Sequence, residues 1–262
     1  MSALSPAYIR IVWAIAIRSI KRIMRRPQSL MPIFLVPTMF LVVTSGGAAR
    51  AINLPGFPEV ESFFQFAIAG AIVQSTMLGG LMAGINLSVD VDNGFFDRMI
   101  VAPVPRSALV LGRVLGSAAI ALFQACLYLA LGVVFGASIE GGIFGILLIL
   151  VLAGICAASM GGLAVALALR AQAQWVQGVF PLVFVIIFMS SAFFPRELLT
   201  GPAETIAGYN PISYLAEGMR EPIISGVSGS VELKAFAIGL GLTIFTTLIA
   251  VWALRVRLGG SR

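Results

Sequence analysis

The sequence predicts an all-α polytopic membrane protein: one domain over residues 1–262, with six transmembrane helices preceded by an interfacial amphipathic helix. Three observations predict it. Of the 262 residues, 59% are hydrophobic and only 11% charged, and the mean hydropathy is +1.02, whereas soluble domains are roughly half apolar and about a quarter charged. The apolar residues gather into six runs, each near the roughly 20 residues that a bilayer requires. Lysine and arginine crowd into alternate connections, as membrane topology demands.

The same composition excludes several chemistries. There is no histidine, so no Ser-His or Cys-His nucleophile and no imidazole metal site can form. Lys21 and Lys234 are the only lysines, and neither ends a G-x-x-x-x-G-K-[ST] loop, so ATP cannot be held in the P-loop manner. We expect a chain that is not an enzyme and holds no cofactor or metal of its own. Cys126 and Cys156 lie in apolar runs and read as small core side chains rather than as a disulfide. The net charge of +6 follows from topology and implies no nucleic-acid partner.

Residues 6–26 come first, as a basic amphipathic helix within a 1–27 cytoplasmic segment. Ser5 suits its cap, Pro6 its first turn, and Pro27 closes it. At 100° per residue Ile9, Val12, Trp13, Ala16, Ile17, Ile20, Ile23 and Met24 fall within an arc of roughly 140°. Arg10, Arg18, Lys21, Arg22, Arg25 and Arg26 fill the opposite arc. Such a helix lies on an anionic membrane surface rather than crossing it. The rival reading is a secretory signal peptide with Leu30–Thr44 as its apolar region. Its charged lead is too long, and Pro32 and Pro37 interrupt the run.

The six runs cover about 28–46, 63–85, 109–136, 143–168, 176–195 and 235–254. Placing the N-terminus in the cytoplasm puts all of the 17 Lys and Arg inside except Arg50, Arg196, Arg220 and Lys234. Asp90, Asp92 and Asp97 also fall inside, and every glutamate outside. Both termini are then cytoplasmic, in a multi-pass protein of the plasma (inner) membrane. Within the runs the polar residues are chiefly Gln65, Gln74, Asn86, Gln124 and Gln177, which read as helix–helix hydrogen bonding or, alternatively, as a pathway lining. Ion-driven transporters need titratable residues at mid-membrane, so that class is disfavoured. The pairs Gly80/Gly84, Gly112/Gly116, Gly132/Gly136 and Gly141/Gly145 read as close helix crossings, or less readily as a dimer seam.

Two connections rise above packing. Asp90–Ser107 is a polar island in which Phe95, Phe96, Met99 and Ile100 share one face of a short helix. Asp97 and Arg98 fall away from that face. Pro103 and Pro105 stop the helix, and Ser107 can cap the next. A stiff helix of this kind can pass a push from a soluble partner into two spans. The outer segment Ser191–Arg220 holds two further helix starts, Thr200 with Pro202 and Asn210 with Pro211. Ile212, Leu215 and Met219 line one face of the second, with Glu217, Arg220 and Glu221 on others. These short helices could dip into the bilayer, where irregular backbone survives against protein.

Gly94-Phe-Phe-Asp-Arg-Met-Ile-Val-Ala-Pro-Val-Pro-Arg-Ser107 followed by Leu111-Gly-Arg-Val114 is similar to a family pattern, E-R-L-x-x-T/A-P-V-x-R…L-G-K. Ala192-Phe-Phe-Pro195, Asn210-Pro-Ile-Ser-Tyr214 and Glu217-Gly-Met-Arg220 resemble FFP…L-N-P-L-T-Y…E-x-x-R. The chain thus resembles the membrane subunit of ABC-2 type exporters, the group that includes daunorubicin-resistance-like permeases. The resemblance implies a type V exporter-like transmembrane domain working as a homo- or heterodimer, with two copies of an ATP-binding subunit that holds Mg-ATP. It implies that the basic helix, with Arg18, Lys21, Arg22, Arg25 and Arg26, connects along the inner membrane surface among the lipids. It implies a coupling loop over 86–110, carried by Phe95, Phe96, Asp97, Arg98, Met99, Pro103, Val104 and Arg106. It implies an outer gate within 196–234 and the turn before it, formed by Phe193, Phe194, Pro195, Asn210, Pro211, Tyr214, Glu217 and Arg220. The cargo expected is an amphipathic drug or lipid-like compound moved outward. A lipid-linked polysaccharide or lipo-oligosaccharide is the alternative cargo. Two departures stand out: Asp97 replaces the usual Glu and keeps its charge, and Leu199-Thr-Gly-Pro202 replaces L-P-x-x-L at the first gate helix.

Overall fold

The computed structural model describes residues 5–25, 27–101, 104–171 and 173–259. Arg26, Pro103 and Arg262 lie outside the described residues. Among the described residues four helices are each long and apolar enough to cross a bilayer: α3 (Phe63–Asp92), α5 (Arg106–Val134), α6 (Gly142–Arg170) and α11 (Ser230–Gly259). At 1.5 Å per residue each is about 44 Å long, more than the roughly 30 Å hydrocarbon core. Two shorter apolar stretches accompany them. Met31–Gly47 belongs to α2 (Pro27–Gly47), and Gln174–Phe188 is shared by α7 (Ala173–Gly178) and α8 (Phe180–Phe188). The first helix is α1 (Pro6–Met24) and the short intervening one α4 (Phe95–Val101). The pair before the last long helix is α9 (Pro202–Tyr209) and α10 (Pro211–Ile224). Among the described residues there is no strand.

The centre is α3. It is apolar all round rather than striped, which suits a helix enclosed on every side, and α2, α5, α6 and α10 pack against it. Ser62 caps it by accepting from Gln65 N at 3.2 Å. The Gly80/Gly84 pair does what its spacing predicted, whereas Gly136 lies beyond the end of α5 with nothing among the described residues within 4 Å of its Cβ position, so Gly132/Gly136 makes no paired crossing. A Cβ at Gly80 would lie 2.5 Å from Ala157 O, and one at Gly84 2.4 Å from Ala164 O, so only hydrogen there lets α6 cross α3 so closely. The outward faces stay greasy: Phe123, Phe144, Phe245 and Leu248 are all exposed. Apolar patches of that extent face lipid, not water.

Several expectations need correction. Residues 86–92 continue α3 and 106–110 already belong to α5, so the connection between them narrows to 93–105. The run at 176–195 is one broken segment. It parts at Val179, because Pro181 in the first turn of α8 lacks the N–H that an unbroken helix would need, and it ends at Phe188. Cys126 is exposed on the lipid-facing side of α5 rather than in the core, while Cys156 is buried. Pro105 is the cap residue of α5, with no side-chain cap bond, so Ser107 does not cap it. Gly201, at φ 61°, occupies the cap of α9 without a side-chain bond, so Thr200 does not serve there.

Candidate functional site

The helix α1 has three faces rather than two. Tyr8, Val12 and Ala16 are buried, turned onto α5. Ile9 and Trp13 are exposed apolar residues, and Arg10, Arg18 and Lys21 are exposed cations. The seat on α5 is made by Gly112 and Gly116. A Cβ at Gly112 would stand 2.6 Å from Ile15 Cβ, and one at Gly116 2.9 Å from Ser19 Cβ. At one end of the seat the Tyr8 and Ser107 hydroxyls are hydrogen-bonded at 2.9 Å.

Asp90, near the end of α3, is the electrostatic centre of this end of the bundle. Its side chain is 6% exposed. Arg113 of α5, 5% exposed, donates to Oδ2 at 2.7 Å. Arg22 of α1 donates to Oδ1 and also to the Asn86 carbonyl, the latter at 3.3 Å. Arg18 approaches Oδ1 at 3.7 Å. One carboxylate thus ties three helices together, and no single partner could replace it.

Arg18 also reaches the expected coupling segment. Its guanidinium lies 3.9 Å from the centre of the Phe95 ring and donates to Met99 Sδ at 3.3 Å. Gly94, at φ 65°, gives the left-handed turn that folds α4 back from α3. Phe96 is 1% exposed and packs in an apolar cluster with Leu87, Leu109, Val165, Leu169 and Leu254. Arg257 of α11 stands 5.8 Å from the Phe96 ring. Asp97 and Arg98 are exposed, as their helical phase predicted, and so is Arg106; Val104 and Met99 are half-buried. Phe95 is more exposed than the shared face implied, being covered chiefly by Arg18. Lys21 and Arg25 are exposed and form no ion pair with a described residue.

At the other end, the expected gate residues form a second polar cluster. Asn210 caps α10 by accepting from Ile212 N at 3.0 Å. Its Nδ2 donates to the carbonyls of Ile186 and Met189 at 2.8 and 3.0 Å, closing the frayed end of α8 as well. Pro211 follows at the first helical position. Glu217 takes the Arg196 guanidinium at both oxygens, at 3.0 and 3.1 Å, and the Ser191 hydroxyl at 2.6 Å. Arg220 does not point away, as its phase suggested. It is buried, donates to the Ser191 and Ala192 carbonyls at 2.8 and 2.6 Å, and stacks 3.9 Å from the Phe66 ring centre. Burial pulls its guanidinium down to about 10, with Glu217 and Glu197 opposing. Glu221 is raised, by burial first and then by Glu232 and Glu217.

Tyr214 donates to Gly208 O at 2.9 Å under the Arg196 guanidinium. Phe193 is buried and stacks on Phe188 at 5.5 Å, with Phe40 of α2 at 5.9 Å. Pro195 is buried and Phe194 exposed. Beneath α9 and α10 lies a cavity of about 600 Å³, reached by Met77, Met160, Leu163, Val185, Met189 and Tyr209. Among the described residues no charged side chain lines it. Its size is that of sites for drug-sized molecules.

Sequence reasoning did not single out Asp90, Arg113, Tyr8, Ser191 or Arg196. Arg113 had a signal: it is a cation one turn inside an apolar run, a place where charge survives only when paired. Ser191 and Arg196 had none, because their partner Glu217 lies 21 or more residues away and only the fold brings it near.

Residues 10–224 match the ABC-2 type transporter family. The chain is 28% identical over 235 residues to a daunorubicin resistance ABC transporter permease protein of Streptomyces coeruleorubidus, covering 87% of this chain and 77% of that protein. It is 28% identical over 222 residues to the ycf38 transport permease of Pyropia yezoensis, covering 82% and 75% of the two chains. The ycf38 transport permease of Porphyra purpurea is 27% identical over 218 residues, 81% of this chain and 73% of that one.

Proposed function

Because the chain belongs to the ABC-2 type transporter family, we propose that it is the permease of an exporter that draws its energy from a separate ATP-binding subunit. It crosses the plasma membrane six times, with α2 and the α7–α8 unit completing the set begun by the four long helices. Both termini are cytoplasmic. Two copies of this chain, or one with a paralogue, pair with two ATPases. ATP binds and is hydrolysed in the partner, since no P-loop lysine exists here. The cargo is an uncharged or amphipathic hydrophobic compound, taken from the cytoplasm or inner leaflet and released past α9 and α10.

One observation carries the coupling: α4 exposes Asp97 and Arg98 while Phe96 is sunk among Leu87, Leu109 and Leu254. A partner that pushes the exposed side therefore moves α3, α5 and α11 together. Arg18 and Asp90 extend the same movement to α1. A rigid lever of this kind is what converts a differential contact in two partner states into a shift of helices. The apolar cavity supports the cargo class, and Tyr209 is the one aromatic ring among the described residues that reaches it, which suits a greasy molecule better than a stacked saccharide. The test is co-purification with an ATP-binding subunit, then substrate-stimulated ATP hydrolysis in lipid. Replacing Asp97 and Arg98 together by Ala should abolish stimulated hydrolysis while membrane insertion stays intact. Undiminished transport by that variant, or transport without any ATPase, would refute the reading.

A further inference from the structure

Two recesses open along successive turns of the same pair of helices, α5 and α11. One, of about 430 Å³, is lined by Arg106, Ser107, Val251, Leu254 and Arg255. The next, of about 510 Å³, is lined on those helices by Leu111, Leu115, Ile244 and Leu248, and α1 closes its side with Tyr8 and Val12. Polarity changes abruptly between them. The first carries two guanidinium groups at its rim, and neither Arg106 nor Arg255 is in an ion pair with a described residue. The second is apolar apart from the Tyr8 hydroxyl, Thr243 and Thr247, and Tyr8 is already bonded to Ser107 at the boundary. From Ile244 to Arg255 the axial rise is about 16 Å, enough to bring an acyl stretch from mid-leaflet to the headgroup level.

We propose that this groove holds one anionic phospholipid, its phosphate between Arg106 and Arg255 and an acyl chain between α5, α11 and the side of α1. Charge complementarity selects the occupant: paired, unneutralised guanidiniums at interface depth favour a phosphate carrying net negative charge over a zwitterionic headgroup. The apolar continuation excludes free phosphate as the natural ligand. The bound lipid acts as a wedge that keeps α1 seated on the Gly112–Gly116 face while Arg106 anchors its head. The site takes from the preceding section only the end of the bundle that faces the cytoplasm, and lipid retention is measured without transport, so either proposal can fail alone.

The permease, purified with its ATP-binding subunit, is placed in nanodiscs of equimolar phosphatidylglycerol and phosphatidylcholine, and retained lipid is counted by native mass spectrometry. We expect phosphatidylglycerol to be enriched. Arg106→Gln and Arg255→Gln should each lower the enrichment about fivefold, the share of one basic residue at an anionic surface, while Arg10→Gln on α1 leaves it unchanged. Equal loss in Arg10→Gln would mean diffuse surface attraction and would overturn the site. So would unchanged enrichment in both groove variants, or enrichment by the permease alone that vanishes in the assembled complex. If a groove variant does not assemble, salt decides on the unaltered protein: headgroup selectivity must fall as ionic strength rises, and salt-independent enrichment overturns the proposal.

Discussion

At the scale of single residues, Asp90 and Arg113 behave differently from the charges around them. Both are buried, and their 2.7 Å bond is shielded from water. Removing one partner of such a pair leaves the other uncompensated, at a cost of about 3–5 kcal/mol. Asp90→Asn should therefore destabilise the protein by about that amount, read as a large fall in melting temperature in detergent. Arg18→Gln touches the same carboxylate from a side chain 42% exposed, at 3.7 Å, and should cost under about 1 kcal/mol. Similar losses for the two variants would contradict the distinction. The cluster was only half legible. Asp90 opens the polar island, but its partners sit on two other helices, and nothing local says that Arg22 and Arg113 meet it. Asn210 was legible as a cap because Asn before Pro has a local meaning. Its second role, closing α8, depends on a neighbour 21 residues back or more.

Elements meet here through glycine. The predicted Gly112/Gly116 pair turns out to be the bed of α1, where a methyl group would press on the Ile15 and Ser19 side chains. Gly112→Val should lift α1 from α5 at an overpacking cost of about 1–3 kcal/mol. The expected sign is roughly tenfold faster tryptic cleavage within α1 in the folded complex, with the bundle otherwise resistant; unchanged cleavage would remove the seat. The amphipathic pattern of α1 was correct in period and incomplete in meaning. Periodicity separates apolar from charged residues, but it cannot tell Tyr8, Val12 and Ala16, which face protein, from Ile9 and Trp13, which face lipid. The α10 helix shows the same limit. Its phase placed Arg220 away from Ile212 and Leu215, yet the turn at 191–193 wraps over that side and buries it with carbonyls to receive it.

For the whole molecule, the six-crossing topology makes a labelling prediction. With Cys126 and Cys156 replaced by Ala, Ser228→Cys should react with an impermeant maleimide on intact cells, and Asp97→Cys only after permeabilisation. The reverse pattern would invert the orientation. Composition, run length and charge segregation determined by themselves that this chain is helical and lipid-embedded, because the bilayer imposes those constraints on every residue independently of its neighbours. The motifs at 94–114 and 192–220 were equally readable, and the family match over 10–224 agrees with the resemblance they carry. The tertiary structure alone decided which of the scattered charges share a site. Asp90 lies 68 residues from Arg22 and Arg196 lies 21 from Glu217, and such distances close only when α3 is enclosed and its neighbours are stacked around it. The break in the fifth apolar run is local to Pro181, but the cavity beneath α9 and α10 depends on how helices pack, a property of the assembled bundle rather than of any one stretch of chain.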